Sequence, residues 1–133
     1  MTFRGPLEDR LAIRERYDAY SDAVFRADTD SYLECWTFDG SRTGVGGECA
    51  GEAELRSHWE GMWRAIERMT FFTQVAAIDV DGDRAAARAH CLEIIRFRTG
   101  ETQQVAGTYV DELAEHGGIW RFRRRHYEVQ LTW

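Results

Sequence analysis

The chain has 133 residues, enough for one domain with one core, and its 44% hydrophobic and 13% aromatic content is that of a globular protein, not a disordered one. A formal net charge of −6 argues against nucleic acid as a general partner. No apolar run reaches membrane-spanning length and MTFRGPLEDR lacks the apolar stretch of a signal peptide, so no membrane partner is expected and the expected location is the cytoplasm. Lysine is absent, which excludes lysine Schiff-base chemistry, and asparagine is absent too. All 17 basic residues are arginines, a bias expected of a GC-rich bacterial genome. Cys35, Cys49 and Cys91 form an odd set without CxxC spacing and read as buried thiols.

The first predicted element is a helix over residues 7–28, where Leu7, Leu11, Ile13, Tyr17, Tyr20, Val24 and Phe25 recur at three- and four-residue steps. A shorter helix follows from Asp28 to Trp36, with Asp28 or Asp30 as its cap and Tyr32, Leu33 and Trp36 turned inward. The stretch FDGSRTGVGGECAG, with five glycines in fourteen residues, suits a short hairpin and loop. A third helix is predicted over residues 52–67, with Leu55, Trp59, Met62, Trp63 and Ile66 as its buried side. From Thr70 the pattern changes to strands over 70–80, 84–98, 102–114 and 119–132, the first turn being VDGD at 80–83. Three helices followed by a four-strand antiparallel meander make an α+β fold with the helices packed on one sheet face, and residues 1–133 read as a single domain.

Strand parity assigns the faces. On 84–98, Ala85, Ala87, Ala89 and Cys91 alternate with Arg84, Arg88 and His90, so the first set faces the helices. That face continues through Glu93, a carboxylate among Ile95 and Phe97. In the last strand Trp120 and Phe122 are apolar at even positions, but Tyr127, Val129 and Leu131 at odd ones. A β-bulge near Arg123–Arg124 would reconcile the two groups and turn Arg125 inward and His126 outward. Without the bulge, His126 faces inward and becomes an acid–base candidate.

The run GTYVDELAEHGGIWRFRRR carries a Gly-x-Tyr-x-Asp motif (Gly107, Tyr109, Asp111), a turn, Gly118-x-Trp120, and Arg125 five residues after the tryptophan. In this, in the opening helix IRERYDAYSDAVFRADTDSYLECW and in the Gly-x-x-x-Gly spacing at 47–51, the chain resembles the SnoaL-like branch of the nuclear transport factor 2-like superfamily, close to scytalone dehydratases and polyketide cyclases. The resemblance implies a cone-shaped fold with three N-terminal helices packed on a curved antiparallel sheet around a small-molecule cavity. It also implies a homodimer through the outer sheet face, a small hydrophobic molecule as partner, and neither cofactor nor metal. Scytalone dehydratase and hexachlorocyclohexane dehydrochlorinase use an Asp–His dyad. The equivalent positions here are Phe25 and Thr70, so that dyad is missing.

The remaining candidates for catalysis are Glu93 as general base or acid, Arg125 as a stabiliser of negative charge, and Tyr20 to orient the substrate. The expected substrate-binding residues are Tyr17, Ser21, Phe25, Trp36, Trp59 and Met62 from the helical half, and Thr70, Phe72, Cys91, Tyr109 and Tyr127 from the strands. Arg125 equally suits an ion pair with Glu93 or Asp111. His90 and His116 read as surface groups, Asp22 as solvated, and His126-x-Glu128 alone is too sparse for a metal site. Two functions stay open. One is a cofactor-independent lyase, isomerase or cyclase acting on a hydrophobic or aromatic, polyketide-like substrate. The other is a non-catalytic ligand-binding or accessory domain.

Overall fold

The computed structural model describes residues 2–133. In chain order the elements are β1 (Phe3–Arg4), α1 (Leu7–Arg26), α2 (Thr29–Glu34), β2 (Trp36–Thr43), β3 (Cys49–Ala50), α3 (Glu52–Ala65), β4 (Ile66–Asp81), β5 (Arg84–Phe97), β6 (Thr102–His116) and β7 (Ile119–Thr132). The strands form one seven-stranded sheet in the order β1-β4-β5-β6-β7-β2-β3. Strands β4 to β7 form the expected antiparallel meander. Two pairings outside it, β1 with β4 and β2 with β7, are parallel, so the sheet is mixed rather than wholly antiparallel. The α+β architecture, three helices on an open sheet, is the one expected. No described helix is long and apolar enough to cross a membrane.

Local chemistry sets the helix boundaries. Helix α1 starts after Pro6 with Glu8 and Asp9 in its first turn, where acidic groups meet unpaired N–H groups. It ends at Ala27, which takes a left-handed φ of 50° while the N–H groups of Ala27 and Asp28 bond back to Val24 and Ala23. Asp28 then caps α2, its carboxylate accepting from the Ser31 N–H at 3.1 Å. The second helix stops at Glu34, short of the predicted end. Trp36 opens β2 instead, opposite Phe122 of β7, and the Phe122 N–H donates to the Cys35 carbonyl at 2.8 Å.

Helix α1 packs mainly against β4 and reaches β7. Ala85, Ala87 and Ala89 are buried, and the Tyr17 hydroxyl donates to Asp111 of β6 while Ser21 meets Thr73 of β4 at 3.0 Å. Helix α1 is therefore tied to β4 and to β6, the strands on either side of β5. The expected bulge is present on β7. Arg124 pairs with Glu112 and Phe122 with Leu113, leaving Arg123 unmatched, so Trp120, Phe122, Arg125 and Tyr127 all turn inward and His126 turns away. A second shift follows, because Val129 pairs with Gly107 and Leu131 with Ala106. It corrects the expectation for Leu131, which leaves the inner face and is 59% exposed.

Candidate functional site

Between the helices and the inner sheet face lies a cavity of about 490 Å³, within the range that holds small molecules. Tyr20 and Val24 of α1, Tyr32 of α2, and Trp59 and Met62 of α3 form one side; Met69, Phe71, Ile95, Tyr109 and Tyr127 form the sheet side. Tyr32 and Trp59 stack at 4.0 Å between ring centroids, and Tyr109 and Tyr127 lie 4.5 Å apart. The polar groups are few: Glu93 from β5, Arg42 from β2, His58 and Ser57 from α3, and the tyrosine hydroxyls.

Parity on β5 brings Glu93 into this wall. The Tyr127 hydroxyl donates to its carboxylate at 3.3 Å, and the Cys91 thiol lies 3.6 Å from that hydroxyl. Burial pushes the Glu93 carboxyl up to about 7, against the opposing pull of the Tyr127 hydrogen bond and the Arg42 charge. The same desolvation, with Glu93 beside it, pushes the Cys91 thiol up to about 11. Cys91 therefore stays a neutral thiol and is no nucleophile near pH 7. Arg42 Nη1 lies 2.8 Å from His58 Nε2 and 3.2 Å from the Val45 carbonyl. A guanidinium only donates, so Nε2 accepts and the imidazole carries its proton on Nδ1. Burial first, and the Arg42 charge second, push His58 below its ordinary value, which keeps it neutral.

Glycine in the Gly-x-Tyr-x-Asp motif has a steric reason. An added Cβ at Gly107 would run into the ring and hydroxyl of Tyr127, the group that holds Glu93. Gly107→Ala is expected to displace that ring and to cost about 1–3 kcal/mol, the usual penalty for overpacking, measurable by urea denaturation. An unchanged midpoint would show that the ring yields freely.

Of the expected site residues, Glu93, Tyr20, Trp59, Met62, Tyr109 and Tyr127 share the cavity. Arg125 does not line it. It is 1% exposed and grips Asp111 through Nε and Nη2 at 2.9 and 3.0 Å, the ion-pair alternative with Asp111. Its guanidinium packs against the rings of Tyr20 and Tyr109, which do line the cavity, with centroids at 4.5 and 3.7 Å, and against Phe122 at 4.1 Å. Burial is the largest single influence and opposes the charge, but Asp111, Tyr20 and Tyr109 together outweigh it and push the guanidinium up. Tyr17 is committed to Asp111, Ser21 to Thr73, and Trp36 to packing among Tyr20, Tyr32 and Phe122, so none of the three faces the cavity. Cys91 lies behind Tyr127. Thr70 and Phe72 pair with Ile94 and Leu92, on the sheet face opposite Phe71 and Glu93. Phe72 meets Phe25 edge to face at 5.3 Å, and these two rings are 54% and 40% exposed.

The dyad positions thus fall outside the cavity. Their neighbours that do face it, Val24 on α1 and Met69 and Phe71 on β4, are all apolar. Arg42 and His58 were not expected in the wall. His58 shares a helical face with Leu55, Trp59 and Met62, which was legible at three- and four-residue spacing. Arg42 is buried on β2 in phase with Trp36 and Gly40, a pattern hidden by the glycines around it. Among the described residues no group of three or more His, Cys, Asp or Glu is placed to hold a metal ion.

Residues 5–126 match the sequence profile of the SnoaL-like domain. Among solved structures, a protein assigned as an aromatic ring hydroxylase from Novosphingobium aromaticivorans superposes with a TM-score of 0.90 at 26% identity, over 96% of this chain and 93% of that one. A protein assigned as a scytalone dehydratase from the same organism gives 0.89 at 20% identity, over 96% and 87%. The hexachlorocyclohexane dehydrochlorinase LinA-type3 from Novosphingobium barchaimii gives 0.86 at 17% identity, over 96% and 90%. No curated protein matches by sequence. With the profile spanning most of its length, the chain belongs to the SnoaL-like family of the nuclear transport factor 2-like superfamily.

Proposed function

We propose that the chain binds a small, largely apolar molecule in this cavity and moves a proton on it without a cofactor, as a lyase, isomerase or cyclase. The observation that carries this reading is Glu93, a carboxyl in an aromatic chamber whose affinity for protons is brought to about pH 7 by burial. A group tuned there is a competent base when ionised and a competent acid when protonated. Tyr127 orients it, and Tyr20 faces the bound molecule from α1. Arg125, behind the tyrosine rings, acts as a positioning residue for Tyr20 and Tyr109. The aromatic walls favour a planar, polyketide-like body. Two of the structurally similar proteins bear names that denote eliminations, a dehydratase and a dehydrochlorinase. An elimination begins with the proton abstraction that Glu93 suits.

The second reading, a non-catalytic ligand-binding or accessory domain, is favoured by the apolar Val24, Met69 and Phe71 beside the dyad positions. In either case a homodimer would form through the outer sheet face, where Ile94 and Val110 are exposed. Hydrogen–deuterium exchange at the α-carbon of tetralone, an enolisable bicyclic ketone, separates the two. Acceleration by the wild type, lost by about 10²–10⁴-fold in Glu93→Gln, is the result expected of the enzyme. Tetralone that binds without exchanging would leave the accessory domain, and full exchange by the variant would remove Glu93 from its role.

A further inference from the structure

The fold buries two guanidinium groups near each other's neighbours, and it treats them differently. Arg125 is matched by Asp111, which takes two donors from its Nε–Nη2 edge. Arg42 is 9% exposed and lines the cavity, yet no carboxylate among the described residues lies within ion-pairing distance of it. Its contacts are to two neutral acceptors, His58 Nε2 and the Val45 carbonyl, and both are made through Nη1. The Nε–Nη2 edge, the side by which an arginine takes a carboxylate in a bidentate grip, donates to no protein atom. That edge is not sealed in the interior either: it opens on the cavity, where only water or a bound molecule can meet it. No group of the wall pairs with it: Glu93 feels the Arg42 charge but lies beyond ion-pairing distance and holds its proton below about pH 7. His58 is neutral, and the tyrosine hydroxyls are held in their protonated form by burial.

We infer that the ligand itself brings the missing charge: an aromatic body bearing one carboxylate, received side-on by Arg42. This rests on the reading of the cavity as a ligand site and adds the chemical class of the ligand. His58 and Val45 fix the guanidinium from its Nη1 end, which leaves the open edge preoriented. The aromatic walls cover the body of the molecule, and Glu93 stands on the neighbouring wall.

Calorimetric titration with naphthoate and naphthamide, matched in shape and different in charge, tests this below neutral pH. The wild type is expected to bind naphthoate about tenfold or more tighter than naphthamide. Arg42→Gln is expected to abolish that preference, the two compounds then binding with affinities within about twofold of each other. Arg42→Lys, which keeps the charge but lacks the bidentate edge, should retain only part of the preference. Equal or tighter binding of naphthamide by the wild type overturns the inference while leaving the ligand cavity standing, and this comparison needs no variant to fold. A preference that survives in Arg42→Gln overturns it as well. Binding of neither compound overturns the cavity reading and this inference with it.

Discussion

Replacing Arg125 with methionine is expected to destabilise the fold by about 3–5 kcal/mol, because it removes one partner of a fully buried ion pair. Asp111 is 2% exposed and would keep only the Tyr17 hydroxyl as a donor. The packing of the guanidinium among Tyr20, Tyr109 and Phe122 would go with it. Asp111→Leu alone should be comparably harmful, since it strands the guanidinium. Removing both charges together should cost far less than the sum of the two, because neither ion is then left unpaired in the interior. Urea denaturation of the two single variants and the double variant measures this directly. A loss below about 1 kcal/mol for Arg125→Met would mean that water reaches the pair.

The second large effect belongs to Glu93 and depends on pH. The folded carboxyl titrates at about 7 rather than at its ordinary value near 4.5. Across that window the folded chain holds a proton that the unfolded chain has released. Stability is therefore unaffected by this group below about pH 4.5 and falls as pH rises, the loss being complete once the pH exceeds about 7. A displacement of this size corresponds to about 3 kcal/mol. Glu93→Gln carries no such cost. Relative to the wild type it should gain about 3 kcal/mol between about pH 4.5 and pH 8, while every other titrating group cancels in the comparison. Denaturation curves for both proteins at the two ends of that range supply the measurement. Parallel pH profiles would contradict the account of Glu93 as a desolvated acid.

Much of this was legible because strand parity is a strict physical rule. Alternation along 84–98 placed Glu93 inward, and the switch of parity between Phe122 and Tyr127 located the bulge near Arg123–Arg124. What parity could not supply was depth. Arg125 turns inward as expected but is stopped beneath Tyr20 and Tyr109 by Asp111, and the register of β6 with β7 decides between the two carboxylates that the sequence offered it. The parallel pairings were hidden for a different reason. β1 is two residues long, and β2, which forms the expected short hairpin with β3, carries no clean alternation to show that it also pairs with β7. That segment carries Arg42, so the unforeseen pairing with β7 and the unforeseen site residue have one cause. On α3 the signal was present in the spacing of His58 with Leu55 and Met62, but it competed with the larger apolar residues of the same face.

The proposed chemistry turns on the ionisation of one carboxyl group, and that can be observed without any substrate. Carbon-13 NMR of protein labelled at the glutamate carboxyl carbon follows Glu93 through a pH titration, its resonance assigned by its disappearance in Glu93→Gln. The midpoint predicted is about 7. A midpoint near the ordinary value of 4.5 would mean a well-solvated group, and the cavity would then lack the acid–base centre on which the proposed chemistry depends.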